Sequence, residues 1–334
     1  MSADRPGGAS LDPSFVSTGR LPSPEVVRAL VKQARERFAT NREGANSDVY
    51  PALAEVAPDL FGLCVVGVNG AAYASGDSDH PFSIMSVSKP FVFALICEAL
   101  GPDAARRRLG VNATGLKFNA LEAIERSSDG RTNPMVNPGA IAATSLAPGS
   151  TADERWRFIQ EGLSEFAGRP LSINERVFAS ATNGNPRNQA IGQLLRSYGL
   201  IAIDPAEAVD LYTRQCSLNV TASDLAVMGA TLADGGVNPL NKARVIGPES
   251  CQCALAVMAT AGLYETSGDW LYNVGLPGKS GISGGIVAVS PGKGGFGAFA
   301  PRLDEAGNSV KGQLAARYLS RCLGLSLFAS AAEM

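Results

Sequence analysis

Histidine is nearly absent from this 334-residue chain, and His80 is the only one. A histidine-containing catalytic triad would have to use it, and a metal site built from several histidines of one chain is excluded. His80 lies in Gly76-Asp77-Ser78-Asp79-His80-Pro81, a run of turn formers, and reads as a surface residue. An excess of charge of either sign is also missing. The 29 basic residues face 31 acidic ones, a formal net charge of −2. That leaves no electrostatic footprint for nucleic acid or for an anionic membrane surface. No apolar run reaches the length of a bilayer span. The opening Met1-Ser2-Ala3-Asp4-Arg5-Pro6-Gly7-Gly8 lacks the apolar centre of a signal peptide, so a cytoplasmic protein is expected. Metal-type cysteine spacing is lacking too. Cys251-Gln252-Cys253 is too tight for the usual C-x₂-C zinc pattern, and no histidine is near it in sequence. The six cysteines read as reduced thiols, with Cys64 and Cys97 inside apolar runs.

What is present is core material. Apolar residues make up 45% and charged residues 18%, enough for one large domain or two packed intimately. Residues 1–20, rich in Gly, Pro, Ser and Asp, predict a disordered segment. Ser23-Pro24-Glu25 opens a helical stripe of apolar residues running to Phe38. Residues 61–68 predict a buried strand, turned by Asn69-Gly70 into a second strand over 71–75. Thr151-Ala152-Asp153-Glu154 is a capping box, and helices are expected near 187–199, 206–215, 222–233 and 248–261. Strands return at 275–281, 284–290 and 295–301, and a helix over 310–323 closes the chain. This order predicts a single α+β unit over 21–334. An antiparallel sheet is assembled from both chain ends (about 21–85 and 265–334), and an all-helical lobe of about 86–264 is inserted between them. A cleft between the lobes is the expected place for a site.

One short motif carries chemistry. Ser86-Val87-Ser88-Lys89 is an S-x-x-K match opening a buried helix through Pro90 to Cys97. Residues three apart share a helix side, so the Lys89 amine can sit beside the Ser86 hydroxyl. A lysine kept neutral by burial can take the proton that makes serine a nucleophile. The residues alone leave Ser86 equally readable as an ordinary helix N-terminal serine. A second match, Ser290-Pro291-Gly292-Lys293, holds turn residues and reads as a hairpin connection. Downstream, Lys279-Ser280-Gly281 is similar to the K-T-G strand that accompanies S-x-x-K in penicillin-binding proteins and β-lactamases.

Further stretches extend that likeness. Asp48-Val49-Tyr50-Pro51, Phe82-Ser83-Ile84-Met85-Ser86, Asn133-Pro134-Met135-Val136-Asn137-Pro138-Gly139, Arg187-Asn188-Gln189-Ala190, Asp210-Leu211-Tyr212 leading to Cys216-Ser217, Gly262-Leu263-Tyr264 and Gly278-Lys279-Ser280-Gly281-Ile282 run collinearly. In this order, from about residue 24 to 323, the chain resembles the serine-dependent glutaminase family, whose fold is β-lactamase-like. The resemblance implies hydrolysis of L-glutamine to L-glutamate and ammonia through an acyl-enzyme, with no cofactor and no metal. Ser86 would be the nucleophile. Lys89 would hold or take its proton, and Tyr212 would be the partner base and later the acid, provided that Lys89 and Lys279 lower its pKa. Backbone N–H groups of Ser86 and Ile282 would meet the oxyanion. Tyr50, Asn137, Asn188, Tyr212 and Tyr264 would hold the substrate, with Lys279, Ser280 and Gly281 in support. The partner is then a small amino-acid amide, and a homodimer or homotetramer is expected. Without the resemblance, Asn137 and Asn188 read as turn or cap residues, and Tyr212 and Tyr264 as core aromatics.

Three positions depart from the family pattern. Met85 stands where the family usually has glutamine, Ala181 where it has glutamate, and Gln193 where it commonly has an aromatic. The glutamate is the carboxylate expected at the substrate's α-ammonium, and Glu175, six residues earlier, is a candidate substitute. These positions motivate alternatives: an amidohydrolase acting on a different amide, or a catalytically silent ligand-binding relative. A β-lactamase or esterase is a further enzyme reading, although no clear S-D-N-type element is present.

Overall fold

The computed structural model describes residues 20–329; the disorder expected for the N-terminal segment concerns residues that lie almost wholly outside that range. Seven strands are β1 (Gly62–Gly67), β2 (Ala72–Gly76), β3 (Phe82–Ser83), β4 (Asn219–Val220), β5 (Gly278–Ser280), β6 (Gly285–Ser290) and β7 (Gly294–Phe299). Five form an antiparallel sheet in the order β2-β1-β7-β6-β5, so both chain ends contribute to it. The hairpin at Asn69-Gly70 is present, Gly70 taking φ +84°, and β1 registers with β2 from Gly62↔Gly76 to Val66↔Ala72. The second S-x-x-K match falls in the β6–β7 turn, as its Pro-Gly pair requires.

Two layers of helices sandwich the sheet. Helices Pro24–Phe38, Ser267–Val274 and Val310–Cys322 cover one face, where Val27, Leu63, Trp270, Ile286 and Leu319 share a core. Helix Ala222–Ala233 lies directly on the other face. A β-carbon at Gly297 would stand 2.0 Å from the Ala222 carbonyl oxygen, so glycine is what lets helix and strand meet this closely. The remaining helices, around Lys89–Leu100, share one apolar cluster that also takes in Val287, Val289 and Phe299 of the sheet. The helical block therefore shares its core with the sheet face it covers.

Local signals placed most elements. Helices Pro186–Ser197, Pro205–Cys216, Ala222–Ala233 and Pro248–Ala261 match the expected positions within a few residues. Thr151 and Glu154 cap helix Ala152–Ala167 reciprocally. The strand expected over 275–281 is shorter. Gly275 in the left-handed region ends helix Ser267–Val274, and pairing with β6 begins only at Gly278. The unforeseen element is the β3–β4 ladder, two residues on each side, which joins Ser83 to Asn219. Among the described residues no helix is long and apolar enough to cross a membrane.

Candidate active site

Ser86 lies not in an α-helix but in a 3₁₀ turn, Met85–Ser88, which passes into helix Lys89–Leu100. Lys89 opens that helix one turn after Ser86, so the two residues share a side of the chain. Lys89 is 1% exposed. Its Nζ donates to Asn137 Oδ1 at 2.7 Å and to the Met135 carbonyl at 3.3 Å. Burial lowers its pKa to about 7, which makes the neutral amine available near neutrality.

A backbone distortion aims the serine. Met85, just before it, has φ +47°, and Tyr264, beside it, has φ +58°. Such non-glycine conformations cost about 1–3 kcal/mol each and persist only where neighbours impose them. At Met85 the neighbours are a buried relay. Ser88 Oγ donates to the Met85 carbonyl at 2.8 Å, Gln215 Nε2 to Ser88 Oγ at 3.1 Å, and Thr144 Oγ1 to Gln215 Oε1 at 2.9 Å. At Tyr264, Ser267 Oγ donates to its carbonyl at 2.8 Å. Replacing Ser88 by alanine leaves the Gln215 amide without its partner and frees the Met85 carbonyl. We expect a loss of about 1–3 kcal/mol in stability and a fall in kcat of roughly tenfold with KM nearly constant. Unchanged steady-state kinetics in that variant would show that the relay has no part in positioning.

The late strand closes the site from above. At Gly281 a β-carbon would sit 3.3 Å from the Ser86 nitrogen and 3.2 Å from the Ile84 carbonyl oxygen. A side chain there would need its neighbours to give by a few tenths of an ångström, and Ile282 follows at the pocket wall. Lys279 is fully buried, with Nζ donating to the carbonyls of Gly262 at 2.8 Å and Ser280 at 2.7 Å. The same ammonium lies 4.0 Å from the centre of the Tyr264 ring. Burial, then repulsion from Lys89, holds the Lys279 pKa well below its ordinary value. Ser280 Oγ donates to Asn308 Oδ1, tying β5 to the segment before the last helix.

The sequence-predicted residues fall into two layers. Tyr50, Ser86, Asn137, Asn188, Tyr212 and Ile282 line one pocket. Lys89, Tyr264, Lys279, Ser280 and Gly281 stand behind it as a buried second layer. Asn137 is the hub: its Oδ1 also accepts from Tyr212 Oη at 3.1 Å, and its Nδ2 donates to Asn188 Oδ1 at 2.9 Å. Tyr212 departs from expectation in its chemistry. Burial raises its pKa well above 10, with Cys216 next in effect, and neither Lys89 nor Lys279 is among the main influences. A phenol in that state donates a hydrogen bond and keeps its proton. The hydroxyl of Tyr264 donates to the Ser280 carbonyl at 3.3 Å, and burial raises its pKa to about 12.

Met85 and Ala181 line the pocket, whereas Gln193 is exposed on helix Pro186–Ser197 and Glu175 is exposed outside the pocket. Sequence reasoning missed Cys216, Gln215, Arg187 and Asn119. A signal existed for the first two, because Gln215 and Cys216 follow Tyr212 by one helical turn and share its side. Among the described residues no cluster of three His, Cys, Asp or Glu side chains is able to hold a metal ion.

Comparison with known proteins supplies the family. A model of the glutaminase family matches residues 44–328. The chain is 65% identical over 316 residues to glutaminase 2 of Yersinia pestis, covering 95% of this chain and 93% of that protein. A solved structure described as a probable glutaminase superposes with a TM-score of 0.91 at 42% identity, covering 92% of this chain and all of the other. A probable glutaminase from Bacillus subtilis, solved in complex with 6-diazo-5-oxo-L-norleucine, superposes with a TM-score of 0.80 at 30% identity, covering 92% and 97%. The α+β, β-lactamase-like fold expected from the sequence is the one these structures share. A match over most of the length, with the serine and the buried lysine set in that fold, makes the assignment plain: the chain belongs to the glutaminase family.

Proposed function

We propose that this chain hydrolyses L-glutamine to L-glutamate and ammonia through an ester on Ser86, with Lys89 as the base. The observation that supports this most directly is the buried Lys89, one turn after Ser86, whose amine has a pKa of about 7 and donates to Asn137 of the pocket wall. The Lys89 lone pair takes the Oγ–H proton while Oγ bonds to the side-chain amide carbon. The Ser86 and Ile282 N–H groups meet the oxyanion, a role to which the close approach of Gly281 is suited. The C–N bond breaks as the Lys89 ammonium returns its proton to the leaving nitrogen, so ammonia departs neutral. Water then attacks the ester with the same amine as base, and the Ser86 hydroxyl is regenerated. Tyr212 keeps its proton throughout and holds Asn137, while Tyr264 holds the Ser280 carbonyl of the strand that closes the site. Assembly as a homodimer or homotetramer and a cytoplasmic location belong to the same proposal. The second is consistent with six free cysteines.

Labelling with 6-diazo-5-oxo-L-norleucine tests the acyl-enzyme. The expected result is loss of ammonia release in step with one adduct on the Ser86 peptide, absent in Ser86→Ala. An adduct on Cys216 instead, or full activity after exposure to the reagent, would sink the assignment.

A further inference from the structure

The charges around the pocket are all of one sign. Among its lining residues the only charged side chain is Arg187, and no aspartate or glutamate is present. Arg187, an exposed residue of the pocket lining, donates its Nε to the Asn119 carbonyl at 2.9 Å, and its terminal nitrogens make no hydrogen bond to protein among the described residues. Behind the wall the amines of Lys89 and Lys279 are fully buried with lowered pKa values, and neither supplies an anion to the pocket. No carboxylate is among the charges acting most strongly on Tyr50, Lys89, Tyr212 or Cys216. The amide oxygens of Asn137 and Asn188 are already taken, the first by Lys89 and Tyr212 and the second by Asn137. At Ala181 the wall is a buried methyl group. An anionic end group finds a guanidinium here, while a cationic one finds neutral acceptors and no carboxylate.

We infer that the pocket selects ω-amides that carry a carboxylate but no charged amino group beside it, so that the des-amino amide glutaramate is used at least as well as L-glutamine. Ala181 and Arg187 are the residues that set this preference. The inference rests on the amide-hydrolase reading above and concerns only the far end of the substrate from the scissile bond. With glutaramate, Arg187 holds the carboxylate and the α-carbon packs toward Ala181. With L-glutamine the same pose buries an ammonium that has lost water and gained no anion.

The test is the ratio of kcat/KM for glutaramate to that for L-glutamine, read from ammonia release. In the unaltered protein the ratio is expected at or above one. It should fall as pH rises through the pKa of glutamine's own α-amine, because the neutral amine no longer resists burial; effects of enzyme groups cancel in the ratio. Ala181→Glu should lower it roughly tenfold to hundredfold by giving the ammonium a charged partner. Arg187→Met should raise KM for both substrates. A ratio below one that stays flat with pH overturns this inference alone and leaves the glutaminase reading standing. Ammonia from neither amide overturns both. If Ala181→Glu fails to fold, the pH arm on the unaltered chain decides.

Discussion

Ser86→Ala is expected to lower ammonia release from L-glutamine by on the order of 10⁴–10⁶-fold while leaving the fold intact. The size follows from what the hydroxyl does. Without it there is no acyl-enzyme, and the amide faces direct attack by water, helped only by binding and the oxyanion groups. The fold is spared because the 3₁₀ turn is held by Ser88, Gln215 and the β5 backbone, none of which uses Ser86 Oγ. Circular dichroism and Tm should match the parent within experimental scatter. A residual rate within tenfold of the parent would mean that another nucleophile serves, and Cys216, in the same pocket, would be the first to examine.

Lys89→Met should separate activity from stability. Loss of the base is expected to cost on the order of 10²–10⁴-fold in kcat/KM. In the parent, the reactive form is the neutral amine, so kcat/KM falls about tenfold per pH unit below about 7 and levels off above it. The variant's residual rate should lack that inflection. Stability moves the other way. Burial lowers the pKa from 10.5 to about 7, so between these values the unfolded chain binds a proton that the folded one has released. Stability from this group therefore rises with pH across that window, and the full burial penalty is felt below about 7. Methionine has similar length and no charge to desolvate. Its Tm should exceed the parent's by a few degrees at pH 6, with the gap closing toward pH 10. In the double variant with Ser86→Ala, activity should be no lower than in Ser86→Ala alone, since base and nucleophile act as one unit. An unshifted pH profile in Lys89→Met would assign the base to another group.

The charge pattern of the pocket bears on how such a pair is kept usable. Burial keeps Lys89 neutral enough to accept a proton, with no acidic partner among its main influences, and repulsion from Lys89 adds to burial in lowering Lys279. The same absence of carboxylates removes the natural partner of a substrate ammonium. Base strength and end-group selectivity are thus both sensitive to a carboxylate placed in the cleft, and Ala181→Glu should affect both.

Read by itself, the chain determined the elements whose causes are local. Asn69-Gly70 specifies the hairpin, Thr151 with Glu154 specifies a helix start, and the apolar periodicity of residues 205–216 and 222–233 specifies helices. It also marked Ser86 and Lys89, because one turn of helix is a local distance, and collinear motifs tied them to a family. The tertiary structure alone decided which residues face them. The β3–β4 ladder is two residues long, below any propensity signal, yet it brings Ser83 against Asn219 and so sets Ser86 near the Tyr212 helix. The relay from Thr144 through Gln215 to Ser88 joins residues 71 and 127 positions apart. Whether Tyr212 is a base or a neutral donor depends on burial and on which charges surround it, and neither is a property of its sequence neighbours. Local geometry is written in short-range steric and hydrogen-bonding preferences, whereas proton affinity and pocket charge arise from desolvation and Coulomb interactions among residues that only the fold brings together.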